Sequence, residues 1–432
     1  MSGPETTTPT VVSAARQARL STTGAFAAQG FAYALVLTSL PVLAERHAIG
    51  TGTTTLLVLA VCVVAALGTV LAARIAEGRG GSRVGLVVGV AALGVALAVV
   101  AVAPGLAALA AGLVVYGFGL GLVDASANMQ ALSVQHVYGR SVLASFHGAW
   151  SAAGILGALA VSVTGGRWPE RPVVTVLVLG VPVAVAVSLG VARWGWRTPR
   201  EELVAAAARL GDPVGTTAAG GPAATAGGGL PHPVVPWRPV LLLGAVLVAY
   251  YVVDSAVSTW SAFYLAGPLA AGHTLSPLGY AAYLGVTLVA RLLGDRAVLR
   301  WGRVNVVRAG ALLGVVGLAL VVTGVGAWMA IGGFALAGAL GVLPPMAFSA
   351  AGDVAPGSTD IVVGRLNYFN YVGVVLGAGV VGVVGTVLDL RTGFIVPALF
   401  LLVVPLVAGV LALPGAGAGG HRSVVPSPST PR

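Results

Sequence analysis

Residues 116–157 read YGFGLGLVDASANMQALSVQHVYGRSVLASFHGAWSAAGILG, and the interpretation of the whole chain starts from this stretch. It places Asp124 and Asn128 in one very apolar segment and His147 and Trp150 in the next. Most of the surrounding residues are aliphatic or glycine. A carboxylate, an amide and an imidazole are costly in such surroundings, so these side chains are the first candidates for function.

The composition of the chain indicates a protein embedded in a lipid bilayer. Its 432 residues are 57% hydrophobic and only 8% charged, with a mean hydropathy of +0.96. A water-soluble surface would need far more charge. Apolar runs of about 20 residues recur along the whole length, which is the pattern of membrane-spanning helices.

Twelve of these runs are predicted to be transmembrane helices. They lie at residues 20–43, 53–73, 84–103, 106–132, 142–163, 173–192, 239–265, 277–293, 304–325, 328–350, 366–386 and 393–413. Residues 193–238 are rich in Ala, Gly, Thr and Pro, and this composition predicts a flexible linker. The predicted fold is therefore an all-α polytopic membrane protein. It has two six-helix bundles, 20–192 and 239–413, and two cytoplasmic tails, 1–19 and 414–432.

The basic residues are all arginines, and they divide unevenly between alternate connections. With a cytoplasmic N terminus, the outside loops hold only Arg46, Arg167, Arg171 and Arg391. This bias predicts that both termini and the linker are cytoplasmic. The net charge of +10 is then a topology signal, and we expect no nucleic acid as a partner. The absence of lysine beside so much Ala, Gly and Val is typical of a high-GC bacterial genome, so the expected location is a bacterial cytoplasmic membrane.

The two halves carry short basic turns at matching positions. Gly139-Arg140 follows the fourth span, and Gly364-Arg365 precedes the eleventh. The connection after span two, AARIAEGRGGSR, is likewise matched by ARLLGDRAVLRWGR after span eight. These matches predict two homologous, pseudo-symmetric halves. In such architectures the solute site lies near the bilayer midplane, between the repeats.

These features resemble the major facilitator superfamily of transporters. Residues 292–303, LLGDRAVLRWGR, are similar to the superfamily's cytoplasmic Gly-x-x-x-Asp-Arg-x-Gly-Arg-type loop, with Asp295 and Arg296 at its centre. Arg291 belongs to the same motif, and Glu77 replaces the aspartate in the first-half copy. The resemblance implies transport by alternating access. It also implies that Asp295 and Arg296 form a gating loop that holds the outward-open state.

Two motifs further resemble the MosC-like branch of this superfamily. One runs from Asp124 to the FHGAWS sequence that contains His147 and Trp150, and the other begins at Asp254 and reads DSAVSTWSAFYL. The chain departs from the branch pattern in the second motif, where Asp254 replaces a glutamate and Thr259 replaces a second acid. The branch resemblance does not specify a substrate.

Asp124 and His147 are predicted to lie at similar depth in neighbouring spans. Asp124 and Asn128 are four residues apart and share one helical face. At 1.5 Å per residue, both Asp124 and His147 fall in the cytoplasmic half of the membrane. An Asp–His pair there could hold and pass a proton, because each group shifts the pKa of the other. The alternative is a buried polar clamp that ties spans four and five together.

Asp254 is the second acidic residue within a predicted span. Its neighbours in the sequence are aromatic or carry hydroxyl groups: Tyr250, Tyr251, Ser255, Ser258, Trp260 and Tyr264. Aromatic rings pack on C–H faces or attract cations, and a carboxylate accepts hydrogen bonds from hydroxyl or ammonium groups. This pattern suits a polyol, a sugar or an amine. The alternative, an interfacial aromatic belt, fits Tyr264 better than Tyr250 or Tyr251.

Further polar residues are predicted to contact the solute because they lie on spans that line the central cavity in the superfamily. With Tyr250 and Tyr251, they are Gln29, Tyr33, Asn128, Trp150 and Asn370. The alternative for each is a role in helix–helix packing. Pro344 and Pro345 are expected to break or bend span ten.

Several classes of function lack support in the sequence. It has no phosphate-binding Gly-Lys-Ser/Thr loop, no Cys/His cluster, and no extramembrane segment of the size and apolarity of an enzyme domain. The single Cys62 excludes an intramolecular disulfide. We therefore expect no enzymatic activity, cofactor or metal. The expected partners are the lipid bilayer, a small-molecule solute and protons, and the expected state is a monomer.

Three hypotheses follow from these residues. The first is a proton-coupled secondary transporter of a small polar solute, sugar-, polyol- or inositol-like, in which Asp124, His147 and Asp254 carry the coupling. The second is a proton-coupled exporter of a hydrophobic or cationic metabolite or drug. The third is a membrane sensor without transport, for which the buried acids and the gating loop would be dispensable.

Overall fold

The computed structural model describes residues 9–78, 80–138, 142–167, 172–196, 237–354 and 359–412. These residues form long helices, and twelve segments are long and apolar enough to cross a membrane. The prediction of an all-α polytopic membrane protein with twelve spanning helices is therefore confirmed.

The first six helices run back and forth between two opposite faces of the molecule. They are α1 (Pro9–Arg46), α2 (Thr51–Ala76), α3 (Gly81–Val102), α4 (Leu106–Tyr138), α5 (Leu143–Arg167) and α6 (Pro172–Trp194). The main correction concerns the predicted tail 1–19, because α1 is already helical at Pro9. The turn that contains Gly139 and Arg140 lies outside the described residues.

The second six helices repeat this arrangement. They are α7 (Trp237–Ala266), α8 (Leu278–Trp301), α9 (Arg303–Thr323), α10 (Ala327–Ala337 continued by Leu343–Val354), α11 (Thr359–Val387) and α12 (Ile395–Val407). Short helical turns at Gly272–Leu275 and Leu390–Gly393 precede α8 and α12. Residues 197–236 of the predicted linker and residues 413–432 of the C-terminal tail lie outside the described residues.

Helix α10 changes geometry where the sequence places two prolines. A 3-10 turn, Gly338–Val342, separates its two α-helical parts, and Pro344 and Pro345 begin the second part. Proline has no backbone N–H, so it cannot donate to the carbonyl group four residues earlier. The expected break in span ten is thereby confirmed, and tight 3-10 bonding accommodates it.

The core of the protein consists of two apolar clusters, one in each half. One is built from residues between 18 and 191, and the other from residues between 240 and 411. Only three fully buried side chains belong to the cluster of the opposite half, namely Ala34, Ala158 and Ala378. Each half therefore has its own core, and partly buried aromatic residues such as Tyr33, Trp150 and Phe263 pack against both cores.

Glycine brings helices of the first half into backbone contact. A Cβ atom at Gly30 of α1 would overlap the carbonyl oxygen of Trp150 in α5, and one at Gly121 of α4 would overlap the carbonyl oxygen of Ala65 in α2. Small residues at helix crossings allow this approach in membrane proteins. As a result α5 packs along α1, while α4 packs between α2 and α3.

The halves meet on the face where α1 ends and α2 begins, which we call the closed face. There Glu45 of α1 lies 3.8 Å from His273, and the Ser162 hydroxyl of α5 donates to the carbonyl oxygen of Thr274. The start of α2 also packs against the end of α11, where Gly52 faces Thr386.

We call the opposite face, at which the described part of α1 begins, the open face. Along α5 the contacts between the halves continue past the middle of the helix, because Gly148 faces Leu288 and Ser151 lies beside Arg291. Asp124 of α4 and Tyr371 of α11 are exposed. Each lies between the midpoint of its helix and the face at which the described part of α1 begins.

Candidate functional site

The carboxylate of Asp254 is the centre of a hydrogen-bonded chain. The Tyr283 hydroxyl of α8 donates to Asp254 Oδ1 at 2.8 Å, and the Tyr250 hydroxyl of α7 donates to the same oxygen at 3.4 Å. Arg291 Nη2 in turn donates to the Tyr250 hydroxyl oxygen at 3.0 Å. A cation and an anion are therefore linked through one phenol, which satisfies the acid without direct contact between the charges.

Arg291 also extends this chain to the first half. Its Nη1 atom lies 3.4 Å from the Ser151 hydroxyl of α5, so the guanidinium bridges the two halves near the middle of the molecule. The sequence had placed Arg291 in the cytoplasmic loop motif. The structure instead turns its side chain inward from α8, toward Tyr250 and Asp254.

Tyrosine and tryptophan rings line the same region between the halves. The Tyr33 ring of α1 lies 5.7 Å from Trp150 and 6.4 Å from Tyr280, and Tyr280 stacks on Tyr283 at 6.3 Å. The Tyr33 hydroxyl lies 3.3 Å from the Ser258 hydroxyl of α7. Sequence reasoning found Tyr33 and Trp150 but missed Tyr280 and Tyr283, although these aromatic residues stand three apart in an apolar helix.

Asp124 occupies a different environment from Asp254. Its carboxylate is exposed, and among the described residues it has no hydrogen-bond donor. It lies within electrostatic reach of Tyr251 in α7 and Tyr371 in α11.

The surroundings of Asp124 are fixed by a polar junction one helical turn away. The Thr69 hydroxyl of α2 lies 3.4 Å from the Gly121 carbonyl oxygen, and the Tyr371 hydroxyl is within hydrogen-bond reach of Thr69. Across the interface, the Tyr251 ring lies edge-on to Tyr250 with centroids 4.9 Å apart. Tyr251 therefore lies beside Tyr250, the tyrosine that donates to Asp254.

The predicted Asp124–His147 pair is wrong. His147 packs edge-on against Phe26 of α1, with centroids 5.2 Å apart, and its closest described charged neighbour is Arg291. The reason lies in the packing, because α5 follows α1 while α4 lies between α2 and α3. For the same reason the two residues do not form a clamp between α4 and α5.

Two predicted contact residues make hydrogen bonds within the helical framework. Asn128 Nδ2 donates to the backbone carbonyl of Asp124 at 2.8 Å, and Gln29 Nε2 donates to the carbonyl of Leu120 at 3.4 Å. These bonds fit the alternative of helix packing. Asn370 is half-buried on α11, next to Tyr371.

The remaining residues of the Asp254 motif hold α7 in place. Trp260 Nε1 donates to the Ala378 carbonyl at 2.9 Å, and the Ser255 hydroxyl donates to the Val374 carbonyl at 2.8 Å, both in α11. Tyr264 is fully buried, and its hydroxyl donates to Val321 of α9 at 2.6 Å. Tyr264 is therefore a core residue, and the interfacial-belt alternative does not describe it.

Asp295 and Arg296 do not lie in a loop. Both belong to the final turns of α8, which continues to Trp301, and both side chains are exposed. The gating role of Asp295 and Arg296 stays a prediction.

Comparison with solved structures identifies the architecture. The chain matches a nucleoside transporter, NupG, with a TM-score of 0.66 and 12% identity, over 91% of this chain and 98% of that one. It matches a D-xylose–proton symporter equally well, with a TM-score of 0.66 and 12% identity, over 91% and 96% of the two chains. A Major Facilitator Superfamily transporter in the outward conformation, FucP, matches with a TM-score of 0.56 and 15% identity, over 91% and 98%. The fold is the major facilitator fold.

Sequence comparison also points to transporters. An uncharacterized MFS-type transporter of Yersinia pestis is 26% identical over 297 residues, covering 67% of this chain and 69% of the relative. An uncharacterized transporter of Sinorhizobium fredii is 26% identical over 349 residues, covering 78% and 83%. No family model matches the chain. These names and the structural neighbours support the major facilitator superfamily and a multi-pass membrane protein, and nothing in them supports the MosC-like branch specifically.

Proposed function

We propose that this protein is a secondary active transporter that moves a small polar solute across the bacterial cytoplasmic membrane by alternating access. The observation that carries the proposal is the polar interior between the halves, where Asp124, Asp254 and Arg291 lie in an otherwise apolar bundle. Charged groups at membrane depth are expensive and mark solute or ion pathways. The major facilitator fold supplies two halves that can rock around such a site.

Proton coupling is proposed from the same acids. Asp254 is linked to Arg291 through Tyr250, and Asp124 is exposed to the interior. A carboxylate whose accessibility alternates between the two faces can accept a proton on one side and release it on the other. His147 lies near Arg291 and not near Asp124, so its part in coupling would be exerted through the Asp254 chain.

The proposed solute is sugar-, polyol- or inositol-like. Tyr33, Trp150, Tyr250 and Tyr251 offer aromatic faces and hydroxyl groups, which suit a ligand with alternating C–H and O–H surfaces. Two of the matched structures are a nucleoside transporter and a D-xylose–proton symporter, whose solutes contain sugar rings. A purely hydrophobic solute fits less well, because it would leave the hydroxyls and charges of this interior without partners.

The remaining features of the proposal follow from the fold. The chain would act as a monomer with cytoplasmic termini, so that the open face is the cytoplasmic face and the structure represents an inward-open state. Asp295 and Arg296, at the open-face end of α8, would then be placed to bridge helices when that face closes. The contacts of Glu45, Ser162 and Tyr33 would be made and broken in each cycle.

The test is transport by purified protein in liposomes that enclose a pH-sensitive dye. Sugars, inositols, nucleosides and amines are added outside, and dye fluorescence reports solute-dependent proton movement. We expect at least one polar solute to move protons, and we expect Asp124→Asn and Asp254→Asn each to reduce the signal by about tenfold or more. Asp389→Asn, which neutralises an exposed carboxylate while its amide oxygen can still cap the Leu390–Gly393 turn, is the matched control. If none of these solutes changes the dye fluorescence, the proposal is contradicted.

A further inference from the structure

Two side chains of α8 organise the carboxylate of Asp254. Tyr283 donates to it directly at 2.8 Å, and Arg291 donates to Tyr250, which in turn donates to the same carboxylate. Arg291 follows Tyr283 by eight residues, about two helical turns, so one stretch of α8 carries both. An O–H···O bond is lost when the two oxygens separate by less than about 1 Å more than their optimum. The position of this stretch of α8 relative to α7 therefore decides whether the chain of bonds forms.

The 3-10 turn of α10 lies directly against this stretch of α8. A Cβ atom at Gly338 would overlap the backbone carbonyl oxygen of Tyr283, and one at Gly341 would lie 2.8 Å from the carbonyl oxygen of Thr287. Both glycines are buried. The nearest atoms at both positions belong to residues 283–287, and most of them are backbone atoms, so a side chain here would displace α8 itself. The 3-10 turn thus fixes the backbone of α8 at the residue that donates to Asp254.

This contact leaves one polar group unsatisfied. Thr287 is buried, and its hydroxyl has no hydrogen-bond partner among the described residues. A threonine within a helix can donate to the carbonyl oxygen four residues earlier, which here is that of Tyr283. A buried hydroxyl without a partner costs free energy, and such departures from good packing are expected at functional sites. The contact between α8 and the 3-10 turn is therefore not optimised for stability alone.

We propose that Gly338 and Gly341 are positioning residues for the Asp254 chain. By letting the 3-10 turn of α10 approach the backbone of α8, they hold Tyr283 and Arg291 at the distances at which these side chains organise the acid. Each glycine acts through α8 and has no part in binding the solute. The inference rests on the proposed transport function, in which Asp254 carries the proton coupling.

The experiment observes the hydrogen bond of Tyr283 without relying on transport. The ten tyrosines of the purified full-length protein are replaced by 3-fluorotyrosine, and ¹⁹F spectra are measured in detergent micelles. Tyr283→Phe assigns the Tyr283 resonance, because this signal disappears, and Asp254→Asn shows how the signal moves when the bond weakens. We expect Gly338→Ala to shift the Tyr283 resonance in the same direction as Asp254→Asn does.

A second glycine of α10 supplies the matched control. A Cβ atom at Gly333 would overlap the carbonyl oxygen of Gly317 in α9, so Gly333→Ala creates a comparable clash that does not involve α8. It should leave the Tyr283 resonance in place. Gly341→Ala creates a milder clash than Gly338→Ala, so it should shift the resonance less, and it serves as the test if Gly338→Ala does not fold. Thermal unfolding verifies that each variant is folded.

Transport measurements show whether the two effects are the same. In liposomes, Gly338→Ala should reduce solute-dependent proton movement about tenfold or less, as expected for Tyr283→Phe, because both weaken the same bond. The losses should not add in the double variant, since substitutions that act through one interaction are coupled. Fully additive losses would show that Gly338 affects transport by a route other than Tyr283, and they would overturn the inference.

The outcomes separate this inference from the proposed function. A Tyr283 resonance that stays in place in Gly338→Ala and Gly341→Ala, or that moves equally in Gly333→Ala, overturns the positioning role. If the unsubstituted protein transports a solute while the resonance stays in place, the inference fails and the transport function stands. If the resonance shifts as expected but no solute moves protons through the unsubstituted protein, the positioning role stands and the transport function fails.

Discussion

The two halves of this protein hold their membrane-embedded acids in opposite ways. In the second half, Asp254 is bonded to two tyrosines and balanced by Arg291. In the first half, Asp124 is exposed and has no donor among the described residues. Breaking the hydrogen bonds that a carboxylate already accepts costs free energy, whereas a carboxylate without hydrogen-bond partners is available to a ligand or a proton. We therefore expect Asp254 to organise the site and Asp124 to remain available for binding.

The largest expected effect comes from removing Arg291, the cation that balances the charge of Asp254. Arg291→Leu leaves Asp254 without its counter-charge. Removing one partner of a buried charge pair costs about 3 kcal/mol or more, so solute-dependent proton movement should fall by about two orders of magnitude or more. Thermal unfolding should also shift to lower temperature. The double variant Arg291→Leu with Asp254→Asn should recover stability without transport, and a fully active single variant would remove Arg291 from the site.

A second experiment compares the two acids directly. Asp124→Asn should reduce transport about tenfold and leave the unfolding temperature nearly unchanged, because no bond of its carboxylate is lost. Asp254→Asn should reduce both, since a neutral amide oxygen accepts the two hydroxyl bonds more weakly than a carboxylate and no longer balances the charge of Arg291. Liposome transport and thermal unfolding, measured on the same preparations, give both quantities. Equal loss of stability in the two variants would show that Asp124 is also a structural group.

A third experiment weakens the Asp254 chain by one hydrogen bond. Tyr283→Phe removes the 2.8 Å bond to Asp254, and a bond to a charged group contributes about 1.5 kcal/mol or more. We expect about a tenfold or smaller loss of transport. Tyr280→Phe is the matched control, because its ring stacks in the same cluster and its hydroxyl has no partner among the described residues. Equal effects of the two substitutions would show that the loss does not come from the bond between Tyr283 and Asp254.

The smallest expected effect concerns the closed face. Glu45 and His273 are 3.8 Å apart, and their side chains are 63% and 37% exposed. Exposed ion pairs contribute about 0–1 kcal/mol and are screened by salt. Glu45→Gln should therefore change transport less than about fivefold, and the difference should disappear in 1 M salt. A larger effect that persists in salt would show that this contact is more than a surface pair.

Much of the fold could be predicted from the sequence, because bilayer thickness imposes a length on every apolar run. The spans at 53–73 and 239–265 agree with α2 and α7 within a few residues. The boundary at residue 20 failed because Pro9–Arg19 is helical although it carries Ser, Gln and Arg. Hydropathy predicts which residues lie within the membrane, but a helix can continue past the membrane surface.

The error at Asp124 and His147 has a simple physical origin. Sequence distance and helical rise give depth in the membrane, but they do not give the direction in which a side chain points around its helix. Consecutive helices α4 and α5 pack mainly against other helices, so equal depth did not bring the two residues together. Gly30 and Gly121 mark helix faces that pack closely against a neighbouring helix, so these glycines indicate part of this orientation.

Arg291 was missed for a different reason. Arginines near the ends of spans report topology, and Arg291 was counted with Arg296 and Arg303 for that purpose. Yet it lies within the predicted span 277–293, two turns after Tyr283, in a run that is otherwise apolar. A cation inside a span requires an anion or a polar partner, and Asp254 was the acid available in the same half.

The polar contacts between the halves contribute to the free energy that is needed to separate them. One exposed ion pair and single hydroxyl bonds at Ser162 and Tyr33 contribute about 1 kcal/mol each. Their sum, a few kcal/mol, is below the binding free energy of a micromolar solute, about 8 kcal/mol. A solute that binds one state somewhat better than the other can therefore shift the balance between them. In the proposed cycle, this weak seam would leave the direction of transport to the ligand and the proton gradient.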